Sequence, residues 1–160
     1  MNADLQPVIV AFDGSSEAQE AATTAARLFP GRPVLVVTAW EPGLVHAMTS
    51  SPDPSGLAYI PPDPQAMAAA DEAQLQHATA AAQAGARLAR DLGADAQPLA
   101  LQEGVSIAAT IASVAEDRDA AAILIGSRGL GRVKSTLLGS TSRQLLRETT
   151  RPVLIVRASD

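Results

Sequence analysis

The sequence predicts a doubly wound α/β fold, in which a five-stranded, mostly parallel sheet is covered by helices on both faces. Three observations lead there. Five short apolar runs recur along the 160 residues, at 7–12, 33–40, 96–101, 121–125 and 152–157. The first two and the last two are continuously apolar, as strands buried on both faces require. Segments of helical spacing lie between the runs, and such alternation implies right-handed βαβ crossovers and a sheet buried on both sides. The stretch 120–142, AAAILIGSRGLGRVKSTLLGSTS, reads as strand, glycine-spaced loop and helix start. For five strands the doubly wound order is 3-2-1-4-5 or 2-1-3-4-5.

In order, the first strand is PVIVAF, residues 7–12, ended by Asp13-Gly14-Ser15-Ser16. Ser16 with Gln19 forms a capping box, and Ala18, Ala21, Ala22, Ala25, Leu28 and Phe29 then recur at helical spacing until Gly31. The second strand is PVLVVTAW, residues 33–40. Residues 41–64 hold six prolines with scattered glycine and serine, which sustain neither helix nor sheet, so this is a loop insertion within one domain spanning 1–160. His46 lies in it without a ligand pattern around it. A long helix covers 65–92, closed by Gly93, with an apolar seam of Leu75, Ala78, Ala82, Gly85, Ala89 and Leu92. His77 falls about 200° from Leu75 and is therefore exposed. The third strand, 96–101, precedes Glu103-Gly104 and a helix with Ile107, Ile111 and Val114 on one face. Glu116 to Asp119 form a charged turn into the fourth strand, 121–125. Leu145 and Leu146 mark the last helix, and PVLIVR, 152–157, is the fifth strand, its proline at the first position where a strand tolerates it.

Composition narrows the function. A chain 47% hydrophobic and 18% charged supports one sizeable core, which must be aliphatic because aromatics are 2%. A net charge of −5 argues against nucleic acid or an anionic membrane as partner. The N-terminus has no basic or long apolar region, no apolar run approaches a membrane span, and cysteine is absent, so a cytoplasmic protein is expected.

The chemistry concentrates in the strand–loop–helix stretch. Glycines allow backbone to approach a ligand, and a helix N-terminus presents unpaired N–H groups with a partial positive charge, together a seat for a phosphate. Six of the chain's 12 basic residues, Arg128, Arg132, Lys134, Arg143, Arg147 and Arg151, fall between 128 and 151 against one acid, Glu148, so a locally positive field is expected there. Gly131 to Thr136 cannot be fitted to GxxxxGK[ST], because Lys134 follows no glycine, and no third glycine completes a dinucleotide fingerprint. Asp13, at the carboxyl end of a central strand, stands where open α/β sheets place ligands.

The spacing Gly126, Gly129, Gly139, Ser140 resembles the G-x2-G-x9-G-[S/T] motif of the ATP-binding branch of the universal stress protein family. VAFDGS, VVTAW and RPVLIVR extend the likeness over nearly the whole chain. The resemblance selects order 3-2-1-4-5 and implies ATP as ligand, possibly with Mg2+ on Asp13. It implies that Ala11 and Asp13 flank the nucleotide and that the Ala39 backbone holds the adenine edge. Gly126, Ser127, Arg128, Gly129, Leu130, Gly131 and Arg132 would wrap ribose and phosphates. Gly139 would open the helix start, where Ser140, Thr141 and Ser142 donate hydroxyl and N–H groups to the phosphates. Val153 to Val156 would pair across the two-fold axis of a homodimer. Ala11 stands where some relatives carry proline. The implied function is a nucleotide-dependent stress-response or signalling module, with slow ATP hydrolysis at most, for which Asp13, Arg128 and Lys134 are the nominees. Alternatives are a nucleotide-free dimeric interaction protein of the same fold, or an ATP-pyrophosphatase-like enzyme, which the absent SGGxDS loop disfavours.

Overall fold

The computed structural model of the protein describes residues 5–43, 63–127 and 138–158. Their elements alternate as expected: β1 (Val8–Ala11), α1 (Ser16–Leu28), β2 (Val34–Trp40), α2 (Pro64–Asp91), β3 (Ala96–Gln102), α3 (Ile107–Asp117), β4 (Ala122–Gly126), α4 (Ser140–Glu148) and β5 (Val153–Val156). The five strands are parallel and lie in the order β3-β2-β1-β4-β5. Of the two orders open on the residues alone, this is the one the resemblance selected.

Two-sided burial explains the continuous apolar runs. Val8, Val10 and Phe12 pack on one face with the alanines of α1 and with Ala86 and Ala89 of α2. Ile9 and Ala11 pack on the other with Ala108, Ile111, Ala112 and Ala115 of α3 and with Leu145 of α4. Alternate residues serve opposite cores, so both must be apolar. Alanine-lined helices let the backbones approach the sheet closely, which compensates for the shortage of aromatics.

Three local expectations are corrected. The N-cap of α1 is Ser15, whose Oγ accepts from Ala18 N–H at 3.2 Å. Asp13 Oδ1 accepts from Ser15 N–H at 3.0 Å and Gly14 takes φ of 84°, so the turn closes and the helix begins one residue early. Ser16 Oγ instead donates to Glu17, and Gln19 Nε2 donates to Gly14 O. The seam of α2 is shorter than its periodicity suggested: Ala78, Ala82, Gly85, Ala86 and Ala89 are buried, whereas Leu75 and Leu92 at its ends are exposed. A helix of 28 residues overhangs strands of four to seven, which accounts for the exposed ends. The fourth strand is shifted by one residue from 121–125, Gly126 being its last residue and paired with Val156. The proline-rich insertion falls mostly on residues 44–62, outside the described part.

Arg151 departs most from its expected role. It sits at the amino ends of the strands, with Nε 2.9 Å from Glu116 Oε2 and Nη1 2.6 Å from Asp119 Oδ1. It is therefore paired on the rim opposite the glycine motif, and adjacency in sequence overstated the positive patch. A hydrogen bond from Thr150, then those and the charge of Arg151, hold Glu116 below the usual carboxylate range; Gln6 and Arg151 do the same for Asp119. A lowered folded value gives stability that is present above the ordinary carboxylate range and lost as pH falls through the folded value. Arg151→Met should therefore lower the melting temperature at neutral pH, with the gap to the parent narrowing in acid. A gap that holds constant down to about pH 2 would disprove this linkage.

Candidate functional site

Strand register assembles the site. Ala11 pairs with Val37 and Val10 with Leu124. Asp13, Ala39 and Ser127 therefore lie at or just past the carboxyl ends of these three neighbouring strands. Three residues distant in sequence thus leave three neighbouring strands at one rim. It is the carboxyl rim, and β1 lies where the chain's winding reverses, the switch point at which open α/β sheets form a ligand crevice.

The backbone there is tightly held. Phe12 N–H donates to Val37 O at 2.8 Å, and the buried Thr38 hydroxyl donates to Phe12 O at 2.7 Å, locking the residue before Asp13. Asp13 is half-buried, with Oδ1 engaged by the turn, while Oδ2 accepts no hydrogen bond among the described residues. Ala11 is buried and belongs to the core face packed on α3, so its contribution is the shape of the strand end.

On the other wall, Ser127 N–H donates to Val156 O and Ser127 O accepts from Gly139 N–H, both at 2.7 Å. The second bond joins the end of β4 to the start of α4 across the intervening loop. Ser142 strengthens that joint: its hydroxyl, 2% exposed, donates to Gly126 O at 2.8 Å. Ser142 Oγ is thus a latch between helix and strand, and its hydroxyl proton is occupied. Gly139 caps α4 without a side-chain hydrogen bond, so among the described residues the first-turn N–H groups of Ser140, Thr141 and Ser142 have no cap. Ser127 Oγ is buried and has no hydrogen-bond partner among the described residues. A buried hydroxyl without a partner costs about 1–3 kcal/mol.

Of the sequence-predicted residues, Ala11, Asp13, Ala39, Gly126, Ser127, Gly139, Ser140, Thr141 and Ser142 lie at this rim or open onto it. Arg128, Gly129, Leu130, Gly131 and Arg132, with Lys134, fall outside the described residues. Sequence reasoning missed Thr38, whose role is visible only once β1 and β2 are in register. The described residues contain no group of three or more His, Asp or Glu able to hold a metal ion alone.

A five-stranded, doubly wound parallel sheet covered by helices on both faces defines a single-domain α/β protein. The sequence matches the universal stress protein family over residues 5–157, and the chain belongs to that family. A comparison with curated proteins gave no match. Among solved structures, universal stress protein UspA from Lactobacillus plantarum is 19% identical, with a TM-score of 0.72 over 98% of this chain and 100% of that one. The universal stress protein from Archaeoglobus fulgidus in complex with dAMP is 21% identical, with a TM-score of 0.61 over 94% and 97%. A universal stress protein in complex with cAMP is 20% identical, with a TM-score of 0.62 over 97% and 98%. At these identities the likeness is one of fold.

Proposed function

We propose that this chain is a cytoplasmic ATP-binding stress-response module that holds the nucleotide at the carboxyl rim between β1 and β4 and responds to its occupancy, hydrolysing it slowly at most. The observation that carries this reading is the start of α4, uncapped among the described residues, beside the buried Ser127 hydroxyl, which has no partner among them. Uncapped N–H groups at the positive end of a helix suit phosphate oxygens, and a phosphate would supply the missing acceptor for Ser127. Asp13 Oδ2, which accepts no hydrogen bond among the described residues, would face a Mg2+ shared with the phosphates, and the Ala39 backbone, near the carboxyl end of neighbouring β2, would take the adenine edge. Solved family members in complex with dAMP and cAMP lend further support. β5 is an edge strand in which all four residues remain partly exposed; we assign it to pairing with a second copy in a homodimer.

The test is a melting experiment. At a hundredfold excess over the dissociation constant, bound ATP with Mg2+ should stabilise the fold by about 2.7 kcal/mol, a rise of roughly 5–11 °C for a chain of this size. Gly139 has φ −58° and ψ 158°, open to any residue. Gly139→Val should abolish the ATP shift, read against that variant's own ligand-free melting temperature, which the poorer N-cap lowers. Absence of a shift in the parent at millimolar ATP removes the nucleotide reading.

A further inference from the structure

The sheet ends in two edges, β3 and β5, and the two are built differently. An edge strand shows any passing chain a row of unpaired N–H and C=O groups. Which residues carry that row follows from the ladders. Val34 N–H donates to Asp95 O and Glu103 N–H donates to Trp40 O, so the odd-numbered residues of β3 turn their backbone groups toward β2. The even-numbered ones, Ala96, Pro98, Ala100 and Gln102, turn theirs outward. On β5, Pro152 O accepts from Ile123 N–H and Val156 O from Ser127 N–H, which leaves Val153 and Ile155 facing outward.

The outward row of β3 is interrupted in its amino half. Arg90, in the last turn of α2, donates from Nε to Ala96 O at 2.7 Å and takes up the first outward acceptor. Pro98 has no N–H to offer, and it stands where that loss leaves the ladder to β2 intact. At Gln97 or Leu99 a proline would have removed a bond within the sheet. Two successive outward positions are thus withdrawn, and Ala100 and Gln102 alone make a row shorter than an ordinary strand.

The strand has reason to be guarded. It is seven residues long, and Leu99 and Leu101 on its α3 face are only partly buried, so an added strand would gain apolar contact along with hydrogen bonds. Among the described residues no side chain bonds the outward carbonyls of β5, and no proline interrupts Val153 to Val156.

We propose that Arg90 and Pro98 close β3 against strand addition by a second copy of this chain, confining self-association to β5. A chain with both edges open adds copies at each end, and such a series does not close on itself. One guarded edge stops growth at a pair. That last step rests on the β5 pairing proposed above; the guard on β3 does not.

Hydrogen exchange tests the geometry in the parent. The amides of Leu99 and Leu101 face β2 and should be protected, whereas the outward amide of Ala100 should exchange as fast as one in an exposed loop. An Ala100 amide protected in dilute parent means that the edge is already occupied, and it overturns the proposal. Two substitutions then open the edge: Arg90→Met keeps the aliphatic stem without the donor, and Pro98→Val restores an N–H on a strand-favouring residue. The double variant should associate reversibly, its mean mass in sedimentation reaching at least about twice the parent's between roughly 10 µM and 1 mM, while the Ala100 amide gains protection. Pro98→Val alone should show the same more weakly, and it carries the test where the double variant does not fold. A folded variant that stays at the parental mass, or that associates while Ala100 exchanges unchanged, overturns the guard. The parent's own mass decides the β5 reading separately. If the parent is a single chain, that reading fails and the opened variant should stop at a pair; if the parent is a pair, the opened variant should keep growing with concentration.

Discussion

Leu145→Ala should lower the melting temperature by roughly 4–20 °C and release α4 before the rest of the sheet. The range follows from about 2–5 kcal/mol for truncating a fully buried leucine and roughly 2–4 °C per kcal/mol in a chain of this length. Leu145 is 0% exposed and packs in the core shared with Ile111, Ala115 and Ile123. Its helix has nine residues, well short of the about 12–15 at which an isolated helix becomes marginal in water. Tertiary contacts must therefore hold it. Only Ser142 and Leu145 of α4 are buried. They are three positions apart and so share a face, one supplying the hydrogen bond to Gly126 and the other the apolar anchor.

Hydrogen exchange distinguishes this from diffuse destabilisation. In Leu145→Ala the amides of Arg143 to Glu148 should lose protection first, while those of β1 and β4 exchange only with global unfolding. Ser142→Ala should loosen the same segment at a smaller cost of about 1–3 kcal/mol, because Gly126 O is then left without its donor. A change of less than about 2 °C for Leu145→Ala would show that α4 is held by something other than this contact.

The site's helix could be foreseen, but not what holds it down. Five strands, their bounds within a residue or two, and a helix starting at Ser140 were legible because two-sided burial and turn chemistry are written locally. The order of the sheet was open on pattern alone, since both windings bury the same runs; the G-x2-G-x9-G-S spacing settled it by likeness. What escaped was pairwise. Ser15 displaced Ser16 as cap through a bond from its own N–H to Asp13. Arg151 looked like part of a cationic cluster and is neutralised on the opposite rim. Gly85 was read as one small residue in an apolar seam, which its periodicity justifies, but periodicity gives no distance.

Distance makes Gly85 the second severe position. Alanine in place of a helical glycine ordinarily stabilises by about 0.5–1 kcal/mol. Here a Cβ would lie 2.8 Å from Phe12 Cδ2, 2.9 Å from Phe12 Cγ and 2.9 Å from Val36 Cγ1. Neither neighbour can yield easily. Val36 is fully buried in mid-strand, with the restricted side-chain torsion of a β-branched residue. Phe12 has its N–H bonded to Val37 O and its carbonyl to the Thr38 hydroxyl, so its ring can turn but its backbone cannot retreat. Overpacking of this kind costs about 1–3 kcal/mol, which outweighs the helix-propensity gain. Gly85→Ala should be less stable than the parent, and Gly85→Val markedly more so. Phe12→Leu makes room near Cδ2, so the double variant Gly85→Ala with Phe12→Leu should be more stable than the sum of the two single losses predicts, by about 0.5–3 kcal/mol in a double-mutant cycle. Because Phe12 immediately precedes Asp13, any shift it makes is passed to the turn at the switch point, and Gly85→Ala should weaken ATP binding from beneath the site. A Gly85→Ala protein melting at or above the parent would show that α2 simply lifts away, and that the close approach of helix to sheet does not hold Asp13 in place.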